Sequence, residues 1–296
     1  QQQFLEQLRD RPEFQDLNRA TNFKSRIYYF QANAIYQFMQ GNIEAAYRIN
    51  RSFLDLLDAH PQFLKLYAER YLATLNNILI DSLLIGNYVL LEKEIERLTQ
   101  LSARPEFRSI KNIEARIFRQ RYLLLINWCL NQKDFARALS WIPDIEAGLE
   151  RFGKQIEKHH RITFYYLTAY FLFQNRRFEQ ALTWNNRILN DPKEEVVKEV
   201  FSFARVLNLL IHYELGNYGL LEALLSSTPK FLKARRPLYV GEKALFRLLS
   251  RLLKAANRVD RQAYTAPFKA ELEQLAQQPE EKRLFDNLDL RFWEVE

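Results

Sequence analysis

The sequence predicts an all-α fold: an α-solenoid, a right-handed superhelix of about six antiparallel helical hairpins. Three observations predict it. Helix breakers are sparse, with seven Gly and nine Pro in 296 residues, while straight-chain residues that lose little rotamer freedom in a helix are abundant. No run of Val, Ile and Thr alternates with polar residues for long enough to demand a sheet. Six short polar breaks recur, each after a long aromatic-rich segment: Gly41-Asn42, Gly86-Asn87, Lys133-Asp134, Arg176-Arg177, Gly216-Asn217 and Asn257-Arg258. The apolar residues that follow them, Ile43, Tyr88, Phe135, Phe178, Tyr218 and Val259, are spaced 45, 47, 43, 40 and 41 residues apart.

Each unit then has the same parts. A first helix of about 18–24 residues leads into the break and a second of about 14–18 follows it. Gly at the break suits the left-handed residue that ends a helix, and Asn suits the start of the next. A two-residue break forces the pair into an antiparallel hairpin. Pro61, Pro105, Pro192, Pro229 and Pro279 read as unit closures, because proline lacks the N–H and clashes with a preceding helical turn. Six hairpins fill 20–279 of a single domain spanning 1–296. Residues 1–19 form an N-terminal cap helix, and 280–296 form a C-terminal cap with Leu284, Phe285, Leu288 and Trp293 half-exposed. The chain opens QQQFLEQ without an initiator Met and is expected to be a piece of a longer protein.

GNIEAAYRINRSFLDLLDAHP (41–61) and RRFEQALTWNNRILNDP (176–192) resemble the second half of a tetratricopeptide repeat. That pattern has a Gly-Asp-Tyr break, Ala three residues after the aromatic and a closing Pro. Ala46, Ala138 and Ala181 stand at the small-residue position, whereas Leu91 and Leu221 replace it in the second and fifth units. The spacing is longer than that family's 34 residues. Residues 209–253 also resemble, more loosely, an uncharacterised helical-repeat family of the Bacteroidetes type. The resemblance implies that first helices line a concave inner wall and second helices an outer one.

Composition offers little for catalysis. Cys129 is the only cysteine, so the chain has no internal disulfide or cysteine-based zinc site; its flank INWCLN reads as a buried thiol. His60, His159, His160 and His212 match no metal-binding spacing. Adjacent helical positions diverge by about 100°, so His159 and His160 are expected to point apart and face solvent or a partner. A nucleophile elbow, a P-loop and a dinucleotide fingerprint are absent. Glu194-Glu195 and Glu280-Glu281 fall at expected helix N-termini, where negative charge suits the dipole. No segment reaches the ~20 uninterrupted apolar residues of a membrane span. A cytoplasmic location is expected, and no cofactor or metal.

Charge is unevenly spread. The chain carries a formal +7, and residues 226–261 hold ten Lys and Arg against two acids, leaving −1 elsewhere. Lys243, Arg247, Arg251, Lys254 and Arg258 form one stripe along a helix face, with Lys230, Lys233, Arg235 and Arg236 in the preceding hairpin end. The stripe is either a solvated face opposite the Leu245/Leu248/Leu249/Leu252 core stripe or an anion-binding surface. Counting back from Val259 places Arg247, Arg251 and Lys254 at positions facing inward in tetratricopeptide repeats. The same register turns Tyr28, Gln31, Asn76, Gln120, Asn127, Tyr166 and Tyr170 inward, although Tyr166, Tyr170 and Phe173 also fit a packing row.

The expected function is a non-enzymatic protein–protein interaction scaffold. It binds a partner protein or peptide, acidic where it meets the stripe, on a concave face that includes Lys243, Arg247, Arg251, Lys254, Asn76, Asn127, Tyr166 and Tyr170. The rivals are a peptide-sensing regulatory module and a binder of nucleic acid or an anionic surface through the basic 230–258 patch.

Overall fold

The computed structural model describes residues 15–191 and 198–295. These form fifteen α-helices joined by turns and short 3₁₀ segments, with no strand among them. Most of the expected N-terminal cap helix, together with Pro192 and Glu194-Glu195, lies outside the described residues. By contact density the chain divides into two compact units, Gln1–Lys133 with Glu150–Ile156, and Asp134–Leu149 with Glu157–Glu296.

The first unit contains α1 (Phe23–Met39), α2 (Ile43–Asp58), the single turn α3 (Pro61–Leu64), α4 (Ala68–Ile85), α5 (Tyr88–Gln100) and α6 (Ile113–Gln132). The second holds α7 (Phe135–Leu139), most of α8 (Ile142–Phe152), α9 (Lys158–Gln174), α10 (Phe178–Leu189), α11 (Lys198–Glu214), α12 (Tyr218–Lys233), α13 (Val240–Leu252), α14 (Arg258–Leu275) and α15 (Lys282–Asn287). Helices adjacent in sequence pack against one another in both units. The arrangement is helical-repeat-like.

Five of the six expected breaks bend through a left-handed residue: Gly41, Gly86 and Gly216 at φ 77°, 80° and 70°, and Lys133 and Arg176 at 56° and 59°. Four close the paired bonds of a Schellman motif. The N–H of Asn42, Asn87, Arg177 and Asn217 reaches the carbonyl of Gln37, Ser82, Leu172 and His212 respectively, each at 2.9 Å. Asn87 caps the next helix by accepting from Leu90 N–H at 3.2 Å. Asn217 does not cap, because its amide lies 3.1 Å from His212 Nδ1. Three residues after the first five anchors, Ala46, Leu91, Ala138, Ala181 and Leu221 are all buried, so leucine is accommodated where alanine was expected.

The sixth break departs from the pattern. Asn257 is extended, at φ −152°, and its side chain accepts from Asp260 N–H. Helix α14 therefore begins at Arg258, one residue before the expected anchor, and Val259 is 72% exposed. Two expectations about proline also change. Helix α12 runs through Pro229 to Lys233; the proline forfeits one hydrogen bond, and buried Thr228 and Leu232 on either side of it hold the helix down. The chain turns at Ala234-Arg235 instead. The second helix of the third hairpin is broken into α7 and α8; a continuous helix would drive the Pro143 ring into the Leu139 carbonyl.

In the first unit a polar network ties second helices to α4. Buried Tyr71 donates to Asp58 at 3.0 Å, and Arg97 bonds both Tyr71 and Asp58. Arg51 pairs with the buried carboxylate of Glu94. In the second unit the N-terminus of α13 is held by two buried acids. Glu242 accepts from Tyr239 N–H and pairs with Arg236, while Glu281 accepts from Val240 and Gly241 N–H. Glu281 stands at the N-terminus of α15, as expected, but its carboxylate caps α13 rather than its own helix.

Candidate functional site

The first helices carry a repeated surface position that the two units treat differently. Counted back 12, 8 and 5 residues from the anchor, it comprises Gln31, Ile35 and Phe38 on α1, and Asn76, Ile80 and Leu83 on α4. In the second unit the same positions are Tyr166, Tyr170 and Phe173 on α9, and Val206, Leu210 and Tyr213 on α11. Side chains at i, i+4 and i+7 share a helix face, so each set is one stripe.

On α9 and α11 the stripe is covered by the chain's own segment 287–293. Tyr166 Oη donates to the Asn287 carbonyl at 2.8 Å, and the Asp289 backbone hydrogen-bonds the Tyr170 hydroxyl. Trp293 Nε1 donates to Glu214 at 2.6 Å, and its ring meets Tyr213 edge-on at 5.6 Å. Phe292 packs on Phe135. Leu284, Phe285, Leu288 and Trp293, expected half-exposed in a cap, are all buried, as is Leu290. Burial pushes both tyrosine hydroxyls above their ordinary range. Tyr166 and Tyr170, each 2% exposed, are therefore core residues as the chain stands; the packing alternative describes them, and the partner-facing reading is corrected. The aromatic and leucine side chains of the segment supply the apolar surface that this stripe needs.

On α1 and α4 no described segment covers the stripe. Ile35 is 54% exposed, Phe38 44%, Met39 48%, Ile80 37% and Leu84 56%. Single exposed apolar residues need no explanation, but this group is aligned by the repeat on neighbouring first helices, and such patches mark interaction sites. Below it lies a cavity of about 240 Å³ lined by Ala34, Ile35, Phe38, Asn50, Asn77, Ile80 and Asp81. Asp81 is 1% exposed, and Asn50 Nδ2 donates to its Oδ2 at 2.9 Å. Burial raises its pKa to about 6, and the Asn50 bond opposes the rise. Asn76 is half-buried, and its Oδ1 has no hydrogen-bond partner. Asn127, half-buried, donates its amide to the Leu123 carbonyl of its own helix at 2.7 Å.

The basic stripe is exposed at Lys243, Arg247, Arg251, Lys254 and Arg258. It does not stand clear of its own hairpin. Arg247 pairs with Glu271 at 3.0 Å and the Arg251 guanidinium lies 5.9 Å from the Tyr264 ring, both partners being on α14. Both contacts are made within the α13–α14 hairpin. Arg236 is held bidentate by buried Glu242 and leaves the patch. His159 and His160 do not point apart; their ring centroids are 3.9 Å from one another, since side chains on a first helical turn are free to fold together.

Asp81, Asn50, Ile35 and Phe38 were missed by the reading of the sequence. The available signal was a lone acid inside the apolar run NILIDSLLI (77–85). Among the described residues no helix is long and apolar enough to cross a membrane, and no group of three or more His, Cys, Asp or Glu is placed to hold a metal ion. Comparison with family models, curated proteins and solved structures returns no match for the chain.

Proposed function

We propose that this protein is a non-catalytic interaction scaffold of tetratricopeptide-like hairpins, whose first-helix stripes bind segments of protein. One observation carries the reading: the same repeat positions that hold segment 287–293 on α9 and α11 present exposed Ile35, Phe38 and Ile80 on α1 and α4, with no described segment over them and with exposed Leu84 beside them. A stripe that already binds a leucine- and aromatic-rich segment of its own chain is a working example of the contact the bare stripe offers. Apolar burial supplies affinity at about 25 cal/mol per Å² before ordering costs are subtracted, and the repeat supplies a straight track for an extended or helical segment.

The experiment introduces Ile35→Glu with Leu84→Glu and, separately, Arg251→Glu with Lys254→Glu. Partner capture is then followed at low and high salt. Loss in the first variant alone supports the apolar stripe. Loss in the second alone, with binding that falls steeply with salt, supports the alternative of an anionic partner on Lys243, Arg251, Lys254 and Arg258, for which the exposure of that stripe speaks.

A further inference from the structure

We propose that the cavity between α1, α2 and α4 is a pocket for an alkylammonium group, the side chain of a lysine on an otherwise apolar partner segment seated on Ile35, Phe38, Met39, Ile80 and Leu84. The inference rests on the reading of that stripe as an interaction surface and names the chemistry of its occupant. The cavity walls are Ala34, Ile35, Phe38 and Ile80, and its polar groups are Asn50, Asn77 and Asp81. Among the described residues that line it, Asp81 is the one ionisable group, an acid with no cation beside it.

A carboxylate has about four lone-pair sites. Asp81, buried at 1% exposure, is given one hydrogen bond, by Asn50. Among the described residues no ionic group compensates it; burial raises its proton affinity and the Asn50 bond lowers it. A buried charge in that position calls for a cation or a proton. At neutral pH the group lies above its raised pKa of about 6, so the demand is for a cation.

The walls select which cation. A lysine stem is four methylenes long and buries well against apolar side chains while its ammonium reaches a polar floor. The about 240 Å³ of the cavity is of the right order for one such side chain. Guanidinium carries five donors in a rigid fork, and the floor offers one carboxylate and two amides. Calcium takes six to eight oxygen ligands, more than these three residues provide. An ammonium, with three donors, matches Asp81 and the carbonyls of Asn50 and Asn77.

The test uses n-butylammonium, n-butanol and butyrate as probes of the full chain at pH 7.5, read through the methyl resonances of Ile35 and Ile80. The expected result is that n-butylammonium perturbs both methyls with an affinity on the order of tenfold above that of n-butanol, while butyrate binds more weakly than either. Asp81→Asn should bring n-butylammonium and n-butanol within about twofold of each other. Equal binding of the amine and the alcohol in the wild-type chain, or an undiminished preference in Asp81→Asn, would overturn the lysine pocket and leave the apolar stripe standing. If none of the three probes perturbs these methyls, the pocket and the apolar stripe both fall.

Discussion

Glu281 accepts the backbone N–H of Gly241 at 3.0 Å with one carboxylate oxygen and that of Val240 at 2.7 Å with the other, so the start of α15 caps the start of α13 across 40 residues of chain. Two orphan donors of a helix N-terminus are satisfied by one buried acid, in the sense of charge that suits the dipole. Glu281→Ala leaves both donors buried without partners and should cost about 2–3 kcal/mol. Glu281→Gln keeps an acceptor and should cost about half of that. Urea unfolding followed by circular dichroism measures both; equal and negligible effects would remove the cap from the account.

The same contact explains a glycine. A Cβ on Gly241 would sit 2.6 Å from Leu284 Cδ2, and Leu284 is fully buried with little room to move. Gly241→Ala should therefore destabilise by about 1–3 kcal/mol, against the usual gain of alanine in a helix. Leu284→Ala is expected to be destabilising alone but to absorb most of the Gly241→Ala penalty in the double variant. Additive effects in that cycle would mean that the two side chains do not share the space.

Asp81 makes stability depend on pH in a defined direction. Its folded pKa of about 6 stands above the ordinary 3.8. Between these values the folded chain holds a proton that the unfolded chain has lost, so stability falls as pH rises from about 4 to about 6, and the penalty is complete above that window. Asp81→Asn removes the penalty and should raise stability by about 1–3 kcal/mol at pH 7.5 while leaving it unchanged near pH 4. Thermal melts at the two pH values test this. A variant less stable at pH 7.5 would show that the ionised carboxylate has a cationic partner in the fold besides the Asn50 amide. A stabilising loss at a binding position is the usual signature of a site kept for function.

Two hairpin bends store strain that the glycine-built ones avoid. Lys133 and Arg176 hold left-handed backbone without glycine's freedom, at a cost of roughly 1–2 kcal/mol each. Arg176→Gly should stabilise by up to about 1 kcal/mol, whereas Gly86→Ala should destabilise by a similar amount. Opposite signs in denaturant titration are the expected outcome; the same sign at both would contradict the shared geometry.

How much of this was legible in the sequence follows from what each feature depends on. Bends at Gly41, Gly86 and Gly216 were readable because glycine at a helix end has a local cause, and Lys133 and Arg176 were readable only through the spacing of their neighbours. Asn257-Arg258 is polar and correctly spaced, yet capping by Asn257 replaces a left-handed bend, and no local pattern separates the two. Tyr166 and Tyr170 were placed on the right face, but what covers them arrives from more than 110 residues away. Burial by a distant segment leaves no trace in helical periodicity. Asp81 was hidden for the opposite reason: an acid on an apolar helix signals its oddity but not the cavity beside it.

The central claim is that the first-helix stripe of α1 and α4 is where partners bind. A photo-crosslinking residue placed at Leu84 or Phe38, and as a control at exposed Ser52 on second helix α2, tests it in cells that produce the protein. The expected result is a discrete crosslinked partner from positions 84 and 38, lost on Ile35→Glu, and none from position 52. Crosslinking from Ser52 alone, or equally from all three positions, would contradict it.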